Sequence, residues 1–201
     1  MGTWKERKGY PQLIEAWLSE FREKDNVQLL IKTDKPKQAE SYIKRIKKEM
    51  GINKGNAPIL FESKVYDEKM LPRFMISVNC YVSSTLGEGF GICGLQAMSL
   101  KIPVVITDYS GCQDYANKNT ATLIEPSGYI LHKNMDGIPQ FRNKKWAFVE
   151  VKRIRESMRY VLNNNDIIKR KAENAYNYVM ENFNYKVVEN NFSEMIKDIY
   201  D

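Results

Sequence analysis

Residues Asn79–Thr107 read NCYVSSTLGEGFGICGLQAMSLKIPVVIT, and the order of signals in this stretch decides the fold. Asn79–Ser84 suits a strand, Gly87–Gly91 a glycine-rich turn and Gly91–Leu100 a helix. Val104–Thr107 reads as a second strand, with Pro103 confined to its entrance. Strand, turn, helix, turn, strand is a crossover unit, which makes its two strands parallel and lays the helix on one face. The glycines at 87, 89 and 91 let a ligand approach the backbone closely. The following helix aims its free N–H groups and positive dipole end into the same turn, which is a place for a phosphate or pyrophosphate.

The same alternation extends to both sides. Leu13, Ile14, Trp17, Leu18 and Phe21 fall at helical spacing behind Pro11, and Val27–Thr33 has the apolar run of a strand buried on both faces. A basic helix over Lys37–Met50 stops at Gly51, and Ile59–Phe61 reads as a strand. Leu71–Ile76 suits a short helix, Asp114–Ala116 belongs to another, and Ala121–Ile124 is one more strand. Pro126–Lys145, polar and punctuated by Gly128, Gly137 and Pro139, is expected to be a long surface excursion. Helices over Val149–Leu162, Asp166–Glu181 and Val188–Tyr200 close the chain. The expectation is one α/β domain over residues 1–201: a doubly wound, Rossmann-like parallel sheet with C-terminal helices. Ligands of such sheets sit beyond the carboxyl ends of the strands.

Composition narrows the function classes. Lys and Arg exceed Asp and Glu by 31 to 25, a net charge of +6 that suits a polyanionic ligand or an anionic membrane surface. The basic helix Lys37–Met50 carries much of it; a solvated outer face is the plain reading, and peripheral contact with the inner face of a membrane the other. Dispersed lysines without an aromatic-basic signature argue against nucleic acid. No apolar run approaches the roughly 20 residues of a membrane span. The opening MGTWKERKGYPQ has no apolar core, so no signal peptide is expected. Cys80, Cys93 and Cys112 read as reduced thiols of a cytoplasmic protein. With no CxxC pair and His132 the one histidine, no metal site is expected.

Glu88 is the odd element of the glycine turn. A carboxylate repels a phosphate, so its expected task is to bond the hydroxyls of a sugar carried by that phosphate. Gln96, eight residues on, can donate and accept toward a ribose diol. Gly89-x-Gly91-x-x-Gly94, followed by Asp108, also matches a dinucleotide-binding pattern. That fingerprint normally closes the first strand of its fold; here at least two strands precede it, and Glu88 has no role in it.

Several segments together resemble the donor-binding C-terminal domain of the retaining, GT-B-type glycosyltransferases (family four, glycosyltransferases group 1). Lys8-Gly9 with Leu13-Ile14-x-Ala16-Trp17 is similar to the family's KG…LI.AF segment, and Val27–Lys32 to the strand after it. Tyr81–Gly91, Ala97-Met98 and Pro103–Ile106 resemble the signature EGFG…EAM…G.PVI, and Ser110–Asp114 the turn GG.PE. The resemblance implies half of a GT-B fold, and a chain lacking the N-terminal acceptor domain and part of the first strand. It implies transfer of a sugar, with retained configuration, from a nucleoside-diphosphate sugar to a growing glycan or lipid-linked saccharide. Glu88 would hold sugar hydroxyls, and Lys8 would neutralise the departing phosphate. Gly89, Phe90, Gly91 and Ile92 would contact the donor. Gln96 stands where the family has a ribose-binding glutamate. The family's arginine before the KG pair has no clear match; Arg7 or Lys32 would substitute. No DxD motif occurs, so neither metal nor cofactor is implied beyond the donor. Two other classes stay open: an NAD(P)-binding oxidoreductase domain, and a non-catalytic nucleotide-binding domain.

Overall fold

A computed structural model describes residues 1–200. The helices are α1 (Tyr10–Glu20), α2 (Pro36–Glu49), α3 (Met70–Met75), α4 (Ile92–Ser99), α5 (Val151–Asn163), α6 (Asn165–Asn182) and α7 (Tyr185–Tyr200). The strands are β1 (Leu29–Lys32), β2 (Ile59–Glu62), β3 (Tyr81–Ser83), β4 (Val104–Thr107), β5 (Thr122–Ile124), β6 (Gly128–His132) and β7 (Lys144–Phe148). The expected strands and helices before residue 125 each have their counterpart among these, except that Asp114–Ala116 borders a 3-10 turn over Ser110–Asp114.

The parallel layer comes in two patches. One pairs β1 with β2, Leu29 opposite Ile59 and Lys32 opposite Glu62. The other runs β3-β4-β5, with Tyr81 opposite Val104 and Val105 opposite Thr122. Among the described residues no ladder joins β1 to β3, so two strand edges face each other across a gap. β4 is buried along its whole length, as befits a strand with a neighbour on each side.

The excursion expected over Pro126–Lys145 is instead mostly a hairpin. β6 and β7 pair antiparallel, Gly128 opposite Phe148 and His132 opposite Lys144. The link between them carries two 3-10 turns and buries Met135. The hairpin leans back on the domain: the Ala147 N–H bonds the Leu86 carbonyl at 2.9 Å, and the Trp146 ring packs so close to Gly87 that a Cβ there would lie 2.9 Å from it.

Helix packing follows the apolar stripes. α1 buries Leu13, Ile14, Trp17 and Leu18 against the core and packs along α5. That seam is fastened at its far end, where Glu20 accepts from Arg155 at 3.0 Å and from Arg159 at 2.7 Å, and Arg159 also reaches Asp25 at 2.8 Å. α2 buries only Ala39, Ile43 and Ile46 and turns Lys44, Arg45 and Lys48 outward. Among the described residues no helix is long and apolar enough to cross a membrane.

Candidate functional site

The site grows from two places where the chain stops being regular. α1 begins at Gly9, whose φ of 67° lies in the left-handed region. A Cβ on Gly9 would sit 1.9 Å from the Ser84 carbonyl oxygen, so glycine is needed both for the turn and for the contact. The Ser84 hydroxyl donates to the Gly9 carbonyl at 2.9 Å, and the Leu86 N–H and Thr85 hydroxyl both donate to the Arg7 carbonyl, at 2.7 and 3.0 Å. The turn Glu6–Lys8 is thereby strapped to the loop leaving the carboxyl end of β3.

The second place is that loop itself. Glu88 donates its N–H to the Ser110 hydroxyl at 2.9 Å, and its carbonyl accepts the Gly111 N–H at 3.2 Å. Gly111 is pressed on the turn so tightly that a Cβ would meet the Gly89 oxygen at 1.9 Å. Gly91, at φ 77°, then starts α4. Among the described residues no partner takes the N–H groups of Gly89, Phe90 or Gly91, and Ile92 opens a helix whose first amides have no intrahelical acceptor. Unbonded donors and the positive end of α4 therefore lie next to one another in this turn.

Onto that point the fold delivers charge. Lys8 Nζ lies 2.6 Å from one Glu88 oxygen and Arg7 Nη1 2.8 Å from the other. Thr85 adds a hydroxyl at 3.2 Å. Asp136, in the hairpin link, is 1% exposed; it lies 3.3 Å from Arg7 Nε and accepts the Arg7 backbone N–H at 3.3 Å. Burial by itself would raise the Glu88 pKa, but the ion pairs with Lys8 and Arg7 outweigh it and hold the carboxyl below its ordinary range. Two cations and two carboxylates balance here, so an arriving anion must draw Lys8 or Arg7 away from Glu88.

The other candidates are placed less centrally. Phe90 packs edge-on to Tyr115 and near Phe183, closing the turn from below. Lys32 lies at the end of β1 and donates to the Lys64 carbonyl at 2.7 Å, its ammonium above the Tyr66 ring, so it is not joined to Glu88. Gln96 is half-buried on α4, with no side-chain hydrogen bond among the described residues. A cavity of about 220 Å³ at the turn is lined by Lys8, Glu88, Phe90, Gly91 and Ile92. Gln96 and Arg7 do not line it.

The dinucleotide pattern loses two of its parts. Gly94 lies inside α4 and is a packing glycine, where a Cβ would fall 2.5 Å from the Tyr115 hydroxyl. Asp108 accepts from Gln113 at 3.0 Å rather than standing free for a ribose. Among the described residues no group of three His, Cys, Asp or Glu side chains gathers to hold a metal. Asp136 went unnoticed in the sequence, and Thr85 and Ser110 were read only as parts of motifs, not as partners of Glu88. The one local signal for Asp136 is the Asp-Gly pair of a turn, and the residue indeed takes a φ of 54°.

Solved structures share this fold. The crystal structure of the C-terminal domain of a glycosyl transferase group 1 family protein, LpcC from Francisella tularensis, superposes with a TM-score of 0.68 at 17% identity, covering 92% of this chain and 84% of that one. HepE from Anabaena, in complex with UDP and glucose, gives 0.72 at 15% identity, covering 98% of this chain and 47% of that one. WaaG, a glycosyltransferase involved in lipopolysaccharide biosynthesis, gives 0.64 at 23% identity and covers 92% and 42%. The chain thus spans less than half the length of HepE and WaaG. Among curated proteins, none matches. The family model described as glycosyl transferases group 1 matches residues 1–131, nearly two thirds of the sequence, and this chain belongs to that family.

Proposed function

We propose that the chain supplies the donor half of an enzyme that moves a sugar from a nucleoside-diphosphate sugar to a glycan or lipid-linked acceptor, with retention at the anomeric carbon. The observation that carries this reading is the meeting of Lys8 and Arg7 with Glu88 beside unbonded amides at the start of α4. A diphosphate seated on those amides draws the two cations toward itself. Glu88, released from them, is left with acceptor oxygens for sugar hydroxyls. As the bond between the anomeric carbon and the diphosphate oxygen breaks, negative charge grows on the leaving group. Lys8 and Arg7, drawn across when the donor binds, and the amides of Gly89–Ile92 stabilise that charge without further reorganisation. The acceptor oxygen bonds the anomeric carbon on the face the diphosphate leaves, and the acceptor's proton passes to the departing diphosphate oxygen.

The small cavity beside Glu88 is below the roughly 300 Å³ of a whole ligand pocket, so it takes the diphosphate and sugar while the base lies outside it. Because HepE is described with UDP-glucose, uridine diphosphate sugars are the first donors to try. The acceptor binds in this reading across a cleft, on a companion half.

Calorimetric titration with UDP-, GDP- and ADP-sugars and with NAD(H) tests the proposal. Binding of at least one nucleotide sugar is expected, weakened about tenfold or more in Glu88→Gln, while the affinity for the free nucleoside diphosphate changes less. A response to NAD(H) alone, or a nucleotide sugar bound equally by the variant, overturns it.

A further inference from the structure

The β6–β7 hairpin turns an uncommon set of side chains outward. Tyr129 and Leu131 are 60% and 64% exposed, and Ile130 and Phe148 39% and 45%. Residues paired across an antiparallel ladder share a face, and neighbours along a strand alternate. Tyr129 and Leu131 therefore lie on one face with Lys145, and Ile130 and Phe148 on the other with Lys144. Lys133 and Arg142, in the link, are exposed as well. The one acidic residue from Gly128 to Phe148 is Asp136, whose side chain is buried and held by Arg7. The hairpin thus shows four cations, no free carboxylate and apolar side chains on both faces.

The arrangement is fixed rather than loose. Met135 is buried, His132 Nε2 lies 3.2 Å from Glu6, the Tyr129 and Tyr109 rings are 5.2 Å apart, and Trp146 packs on Gly87. A surface ordered in advance loses little entropy on docking. The other basic element, α2, differs in kind. Its outward cations stand among Glu40 and Glu49, with Arg45 3.4 Å from Glu49, and among the described residues α2 exposes no large apolar side chain. Charge alone draws a protein toward an anionic surface, whereas entry into it needs apolar side chains too. Apolar groups on both faces of the hairpin also argue against a protein partner, which would cover one face and leave the other in water. A bilayer interface surrounds the element. Aromatic rings rest at headgroup level, aliphatic side chains below it, and lysine stems reach back to the phosphates.

We propose that the β6–β7 hairpin is a docking surface for an anionic phospholipid bilayer. Tyr129, Ile130, Leu131 and Phe148 enter the interface, and Lys133, Arg142, Lys144 and Lys145 meet headgroup phosphates. Because Trp146 packs on Gly87 and Asp136 holds Arg7, docking sets the Glu88 turn beside the membrane. This inference stands on the hairpin, not on the sugar-donor reading.

The probe is a set of vesicles, phosphatidylcholine alone or mixed with an equal part of phosphatidylglycerol, sedimented with the full chain. The mixed vesicles should be bound about tenfold or more tightly than the neutral ones, and most of that preference should vanish in about 0.5 M salt. Lys144→Gln with Lys145→Gln should weaken binding about tenfold or more. Leu131→Ser, which leaves the charge alone, should weaken it about fivefold. Lys44→Gln with Arg45→Gln removes the same charge from α2 and should change it by less than about twofold. All five positions are exposed, and melting curves check that the variants stay folded. No preference for the anionic vesicles, an equal loss from the α2 pair, or undiminished binding by Leu131→Ser overturns the proposal. So does self-association without vesicles that Leu131→Ser abolishes, which would make a second copy the occupant. Nucleotide-sugar titrations on the same variants report on the donor site separately, so either idea can fail alone.

Discussion

Arg7 is held by two carboxylates from opposite directions, and the weaker-looking one decides its aim. Glu88 faces the site, whereas Asp136 reaches Arg7 from behind through both the guanidinium and the backbone N–H. Asp136→Asn keeps the shape and removes the charge, so Arg7 loses its anchor while Lys8 stays. A donor titration should show affinity reduced by about three- to tenfold, with the melting temperature moving much less. If affinity is unchanged, Arg7 needs no second carboxylate. Gly9 makes a different demand. Gly9→Ala places a Cβ against the Ser84 carbonyl and strains a left-handed turn, so it should cost about 2 kcal/mol or more. Calorimetric melting should fall by roughly 4–8 °C. Residue-scale logic was partly legible in the sequence: Glu88 stood out because a carboxylate is out of place in a phosphate turn. Asp136 was not, because nothing local distinguishes a turn aspartate from one that also anchors an arginine 129 positions away. Lys32 and Gln96 show the converse. Alignment places a residue on an element, but the side it faces depends on neighbours such as Lys64 and Tyr66.

At the scale of elements, the helices and parallel strands were readable because their apolar periods are strong and each is bounded by glycine or proline. The β6–β7 hairpin was not. Tyr129, Ile130 and Leu131 are consecutive apolar residues that stay exposed, so no alternation marks the strand. Its partner lies beyond a link of two 3-10 turns, longer than the short loops that signal a hairpin. Yet this hairpin sets Trp146 against Gly87 and brings in Asp136. The α1–α5 seam carries a prediction of its own. Arg159 bridges Glu20 and Asp25 and stacks on Phe21, 4.6 Å from the ring centroid. Arg159→Ala should cost about 1–2 kcal/mol, and the double variant with Glu20→Ala should cost less than the two added together. Denaturant unfolding of the four proteins measures that coupling, and simple additivity would show that the seam is packing alone.

Across the whole molecule the paired carboxylates give stability a pH signature. Burial by itself would raise Glu20 and Glu88, but Arg159 and Arg155 hold the first below its ordinary range, Lys8 and Arg7 the second, and Arg159 lowers Asp25 from 3.8 to about 2. The unfolded chain therefore takes up protons at a pH where the folded one does not, so this contribution to stability is complete above about pH 5 and is lost as pH falls toward about 2. Melting curves across that window should show the fall, and it should be shallower in Arg159→Ala. An equal slope in the variant would assign the effect to other carboxylates.

The tie between Arg7 and Asp136 also governs the order in which the molecule can assemble. The charged cluster gathers residues 7, 8, 85, 88, 110 and 136, so it belongs to the non-local contacts that form late in folding. During synthesis at about 5–20 residues per second, the 129 positions from Arg7 to Asp136 take roughly 6–26 s to emerge. Until Glu88 emerges α1 can coil and β1 can meet β2 with Arg7 and Lys8 unpaired, and Arg7 gains its second carboxylate only with Asp136. The segment that carries the two cations is thus made well before its last partner and is among the last to find its place.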